Sequence, residues 1–112
     1  MVATAEAVRS IVLDFVQRLE ALAPLRVQRV LLFGSYAHGW PHRGSDIDLV
    51  VVSEGFRRMG RHQRLDLLVR AAYASDHRIE AIAVTPGELR RAGPGTFLGE
   101  VKRTGVVVYE AP

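Results

Sequence analysis

Residues 27–53 read VQRVLLFGSYAHGWPHRGSDIDLVVVS. Val27 to Phe33 is rich in branched apolar side chains and stops at Gly34-Ser35, the pattern of a buried strand closed by a turn. Ser35 to Gly39 reads as a short helical turn. Trp40 to Ser45 holds Pro41 and Gly44 and reads as a loop. Asp46 to Ser53 is a second strand, with Val50, Val51 and Val52 as its buried end. The connection between the strands is about a dozen residues, short enough for an antiparallel pair.

Outward from this hairpin, residues 4–23 form a predicted helix. Val8, Ile11, Val12, Phe15, Val16, Leu19 and Leu22 recur at steps of three and four and make one apolar stripe, which Pro24 ends. On the other side, Arg57 to Ser75 reads as a second amphipathic helix with Leu65, Leu68, Val69 and Ala72 on its inner face. Arg78 to Val84 is a third strand, and the long helical crossover before it suits a parallel pair. Pro86 opens a short helix that ends near Ala92, with Thr85 as its cap. Gly93-Pro94-Gly95 is a break, Thr96 to Arg103 holds one or two helical turns, and Gly105 to Tyr109 is a last strand. This order implies an α/β (α+β) fold, a small mixed sheet of about four strands flanked by helices. Residues 1–112 are expected to form a single domain.

Composition narrows the class. The chain has 112 residues, 48% hydrophobic and 24% charged, as in an ordinary globular protein. It has no cysteine, which excludes disulfides and thiolate metal sites. No apolar run reaches the roughly 18–20 residues of a membrane span, and the N-terminus lacks a secretory pattern, so a cytoplasmic location is expected. The formal charge is +3, and Lys102 is the one lysine among 15 basic residues, the other 14 being arginine. Arginine matches phosphate with a planar fork of donors.

The chemistry sits on the two strands. Asp46 and Asp48 are i and i+2 on a strand, so their carboxylates share a face, about 7 Å apart along it. Such a pair can hold two hard cations, and magnesium favours carboxylates together with substrate phosphates. Gly34 lets the backbone approach an anion, the start of a helical turn offers N–H groups to phosphate, and the Ser35 hydroxyl adds a hydrogen bond. If the strands are antiparallel, Gly34-Ser35 and the aspartates meet at one end of the sheet. Glu80 shares a face with Ile82 and Val84. If its strand runs parallel to the second, Glu80 joins the aspartates as a third metal ligand or as the group that takes a proton from an attacking hydroxyl.

Gly34-Ser35, ten residues, then Asp46-Ile47-Asp48 resembles the signature of the DNA polymerase beta-like nucleotidyltransferase superfamily. The stretch GSYAHGWPHRGSDIDLVVVS is similar to that of the minimal nucleotidyltransferases of bacteria and archaea, and the likeness extends through IEAIAVTPGEL and FLGEVKRTGVVVYE. In that family the third acid is commonly aspartate, where this chain has Glu80, and arginine often stands where this chain has His38. The resemblance implies magnesium, two ions being expected, and a nucleoside triphosphate. It also implies transfer of a nucleoside monophosphate, AMP from ATP as the expected case, to a hydroxyl. Gly34 and Ser35 would bind the nucleotide, and Asp46, Asp48 and Glu80 would be the catalytic, metal-binding acids.

Larger relatives carry an added domain over the base and acceptor. This chain ends at Pro112, so the missing wall is expected from a second copy or from another protein. Minimal nucleotidyltransferases are often paired with a small helical HEPN protein, an RNase toxin of which the nucleotidyltransferase is the antitoxin. The resemblance therefore implies a protein acceptor modified on a tyrosine or similar hydroxyl. Two other classes stay open: a non-catalytic nucleotide-binding module that masks a partner's surface, and a stand-alone enzyme acting on a small molecule or RNA end. His38, His42, His62 and His77 lack a clean ligand spacing for a transition metal. Arg57, Arg58, Arg61, Arg64 and Arg70 are expected to be a solvated face rather than an RNA surface, because no aromatic residues interleave with them. Tyr36, Trp40 and Phe56 are the aromatic candidates for contact with a base or partner.

Overall fold

The computed structural model describes residues 4–38 and 46–112. Thr4 caps the first helix, α1 (Ala5–Leu22), by accepting the Ala7 N–H at 3.1 Å. Strand β1 (Arg29–Phe33) and strand β2 (Ile47–Val52) follow, then a 3-10 turn at Glu54–Phe56 and helix α2 (Arg61–Ser75). Strand β3 (Ile79–Val84), helix α3 (Pro86–Arg91), helix α4 (Phe97–Thr104) and strand β4 (Val106–Glu110) complete the order. No described helix is long and apolar enough to cross a membrane.

The four strands form one mixed sheet in the order β3-β2-β1-β4. β1 pairs antiparallel with both β2 and β4, and β2 pairs parallel with β3 across the α2 crossover. Two registers decide the site: Phe33 lies opposite Asp48, and Asp48 lies beside Glu80. The turn at Gly34 therefore leaves β1 where β2 enters the sheet.

One face of the sheet packs on α1 and α2. Val30, Leu32, Leu49, Val51 and Ile79 meet Val12, Phe15, Leu19, Leu68 and Ala71 there. The other face is covered in part by α3 and α4, where Leu31, Val50, Val52 and Val84 meet Leu89 and Val101. Thr85 and Glu88 cap α3 reciprocally, each side chain accepting the other's backbone N–H, with Pro86 in the first turn.

Three expectations about helices change. Leu65 and Val69 on α2 are 55% and 54% exposed, and the buried side is Leu67, Leu68, Ala71 and Ala72. Periodicity fits either stripe, and the larger side chains favour the first. The alanines let α2 lie close against its neighbours, and that packing selects the second. On α1, Val8, Val12, Phe15, Val16 and Leu19 are buried as expected, Ile11 is half-buried, and Leu22, in the last turn, is exposed. Residues 57–60 lie before α2, so Arg57 does not share a helix with Arg61 and Arg64.

Candidate active site

Parallel pairing of β2 with β3 brings three carboxylates together. Asp46 sits one residue before β2, Asp48 is its second residue, and Glu80 is the second residue of β3. One oxygen from each lies within 4.8 Å of the others. Among the described residues this is the cluster with the geometry of a metal site, and no histidine belongs to it. Asp48 alternates with buried Leu49 and shares the face of Val50 and Val52, so the acids stand on the face that carries α3 and α4. Asp46 and Glu80 are exposed and Asp48 is half-buried. Burial pushes the Asp48 carboxyl above its ordinary value, and the charges of Glu80 and Asp46 push it further.

Gly34 forms the opposite wall. Its φ is +73°, in the left-handed region. Its carbonyl accepts the N–H groups of Ala37 and His38 at 3.1 and 3.2 Å, which closes the predicted turn over its described part. A Cβ at this position would overlap the Asp48 carboxylate. The glycine is thus required by the acid beside it. Ser35 follows at the opening of the turn and is half-buried.

The sequence reading missed a support for this arrangement. Arg78, at the entrance of β3, is gripped by Asp76 through Nε–Oδ1 at 3.0 Å and an Nη2–Oδ2 contact at 2.8 Å. Its carbonyl accepts the Ile47 N–H, between the two aspartates, at 2.8 Å. Its side chain also hydrogen-bonds Tyr36, in the turn after Gly34. One residue therefore ties the turn to the strand that carries the acids. The Arg78 hydrogen bonds hold the Asp76 carboxyl below the ordinary carboxylate range. The signal was the spacing Asp76-x-Arg78, which alone reads only as a local ion pair.

Other candidates are placed differently. Phe56 is completely buried in the core, so it contacts neither base nor partner. Tyr36 is half-buried and packs against the α1–α2 side of the sheet. His38 is exposed at the end of the turn, and His62 and His77 are exposed. Trp40, His42 and Arg43 lie outside the described residues. Arg64 is taken up within the fold: it donates to the carbonyls of Phe56 and Met59 and pairs with Glu88 at 2.8 Å. Arg57 pairs with Glu54 and Arg70 with Asp66.

Three carboxylates with oxygens within 4.8 Å of one another, beside a glycine-serine turn, form a group that could hold a metal ion. The comparisons with known proteins give the family. The nucleotidyltransferase domain model matches residues 10–107, and the chain belongs to that family. Over 63 residues it is 38% identical to a "putative protein adenylyltransferase" of Methanocaldococcus jannaschii; the match covers 54% of this chain and 43% of the relative, so less than half of that protein's length is spanned. Among solved structures, a "putative nucleotidyltransferase" from Sulfolobus solfataricus has the same fold, with a TM-score of 0.65 at 20% identity over 98% of this chain and 90% of that one. A chain of a toxin-antitoxin complex crystallised with AMP-PNP aligns with a TM-score of 0.61 at 26% identity, over 92% of this chain and 73% of that one.

Proposed function

We propose that this domain transfers a nucleoside monophosphate, AMP from ATP, to a hydroxyl on a partner protein. The observation that carries the reading is the convergence of Asp46, Asp48 and Glu80 within 4.8 Å beside the Gly34 turn. Three crowded carboxylates, with Asp48 strained toward protonation, fit divalent cations. Asp46 and Asp48 would hold two magnesium ions and Glu80 the one nearest the acceptor, and the ions when bound supply charge neutralisation. Gly34 and Ser35 bind the triphosphate. The acceptor oxygen forms a bond to the α-phosphorus, the bond to the β-phosphate oxygen breaks, and pyrophosphate leaves. Glu80 takes the acceptor's proton.

The relative's name supports adenylyl transfer to protein, and the toxin-antitoxin neighbour supports a partner chain. We take the partner to be a small helical HEPN-type toxin, with this domain as its cytoplasmic antitoxin. A second reading, a nucleotide-binding module that neutralises by masking, draws on the solvent side of α2, where Leu65, Val69 and Tyr73 stand exposed four residues apart. Mass spectrometry of a co-expressed partner, incubated with magnesium and each triphosphate, tests the choice. An added AMP mass that disappears with Asp46→Asn/Asp48→Asn is expected. Full neutralisation of the partner by that double variant, with no mass gain in the parent, refutes transfer and establishes masking.

A further inference from the structure

Phe97, the first residue of α4, is 53% exposed. An exposed phenylalanine at a helix start needs no explanation by itself. Its neighbour gives it one. The ring sits edge to face with Phe33, centroids 5.2 Å apart and planes 80° apart. Phe33 is the residue opposite Asp48 in the antiparallel register, and directly opposed side chains share a face with Cβ atoms about 5 Å apart. Phe33 also packs with the cluster on the face that carries the acids.

The strand order fixes the sequence of groups across that face: Glu80 on β3, Asp48 on β2, Phe33 on β1, with Phe97 stacked on Phe33. Gly34 follows Phe33 directly. The aromatic pair is therefore on the side of the acids where the turn lies, and Glu80 is on the other. The proposed reading puts the triphosphate at the turn and the acceptor near Glu80. Resting on that reading, we infer that Phe97, held by Phe33, is the platform on which the donor nucleobase stacks. A T-shaped pair satisfies the contact between the two rings and leaves much of Phe97 open to another π-face. Tyr36, within the turn itself, packs against the opposite side of the sheet and hydrogen-bonds Arg78. Stacking is tolerant of base identity, so this platform gives affinity with weak discrimination.

The test uses two probes on the full chain, magnesium-ATP and magnesium-tripolyphosphate, titrated calorimetrically against the parent, Phe97→Ala and Phe97→Trp. A base platform touches only the first probe. Phe97→Ala should weaken ATP roughly tenfold to hundredfold, the range for losing one base stack, and leave tripolyphosphate unchanged. Phe97→Trp should keep ATP affinity near the parent's. Equal weakening of both probes by Phe97→Ala shows a structural role and overturns the inference, as does unchanged ATP affinity. Retained tripolyphosphate binding also reports that the variant is folded. If the parent binds neither probe, the nucleotide reading itself fails, and the platform with it.

Discussion

Asp48→Asn should make the metal-free domain more stable, and should remove its response to magnesium. Asp48 has an oxygen within 4.8 Å of one from Asp46 and of one from Glu80. Two unit charges at that separation repel by about 0.9 kcal/mol at the dielectric constant of water, and by about 3.5 kcal/mol at an effective value of 20. Asp46 and Glu80 face solvent, so the lower figure is the better guide, about 1 kcal/mol for each of the two pairs. The separation is shorter than the roughly 8 Å screening length at physiological salt, so salt leaves much of the repulsion in place. Asparagine keeps the size and removes the charge. The variant should gain about 2 kcal/mol at pH 7, which for a domain of this size raises Tm by about 8 °C. In the parent, magnesium should supply the missing stability by binding the folded state alone, about 2.7 kcal/mol at a hundred times its Kd. Thermal unfolding of both proteins, with and without magnesium, measures all four values. A lower Tm for metal-free Asp48→Asn would mean that favourable contacts hold the carboxylate and the repulsion argument is wrong. Equal magnesium shifts in both proteins would put the ion elsewhere.

Three further outcomes follow from the same geometry. Gly34→Ala should cost about 1–2 kcal/mol from the left-handed backbone alone, and more because its Cβ displaces the Asp48 carboxylate; in an Asp48→Ala background the excess should vanish, and a cycle of Tm values showing no coupling would contradict the overlap. Glu80→Gln should leave magnesium-ATP affinity within a few-fold and cut transfer about 100-fold, so a variant with near-parent turnover in a partner-labelling assay makes Glu80 a bystander. Asp76→Asn should lower stability at pH 7 by about 2 kcal/mol through loss of the Arg78 grip. Because the folded carboxyl titrates below its unfolded value of about 3.9, this contribution is present above that pH and fades as pH falls through the folded value. Denaturant unfolding of both proteins from pH 7 to pH 2 should show the two curves converging, and a gap that is constant with pH would exclude the ion pair as its source.

Much of the fold was legible because local rules determine it. The run Val27–Phe33, the stop at Gly34 and the alternation around Asp46-Ile47-Asp48 define a strand, a turn and a strand whatever surrounds them. Pro86 after Thr85, with Glu88 three residues on, specifies a capped helix from local hydrogen bonds. The parallel placement of β3 followed from the crossover rule, and with it Glu80 beside Asp48. The α2 stripe failed because periodicity measures which faces could be apolar, while burial depends on what packs against them. Leu65 and Val69 carry as strong a helical signal as Leu67 and Ala71.

The sequence by itself determined the candidates and their order along the chain: the acids Asp46, Asp48 and Glu80, the turn at Gly34-Ser35, and the elements that carry them. Those properties reside in residue types at short spacing, where backbone geometry leaves few alternatives. The tertiary structure alone decided what stands next to those candidates. It put Arg78 against Tyr36 and the Ile47 backbone, buried Phe56, and set Phe97 on Phe33 next to Asp48. Those neighbours come from distant parts of the chain. Their meeting depends on strand order and on how four helices divide two faces of a sheet, which no local rule encodes.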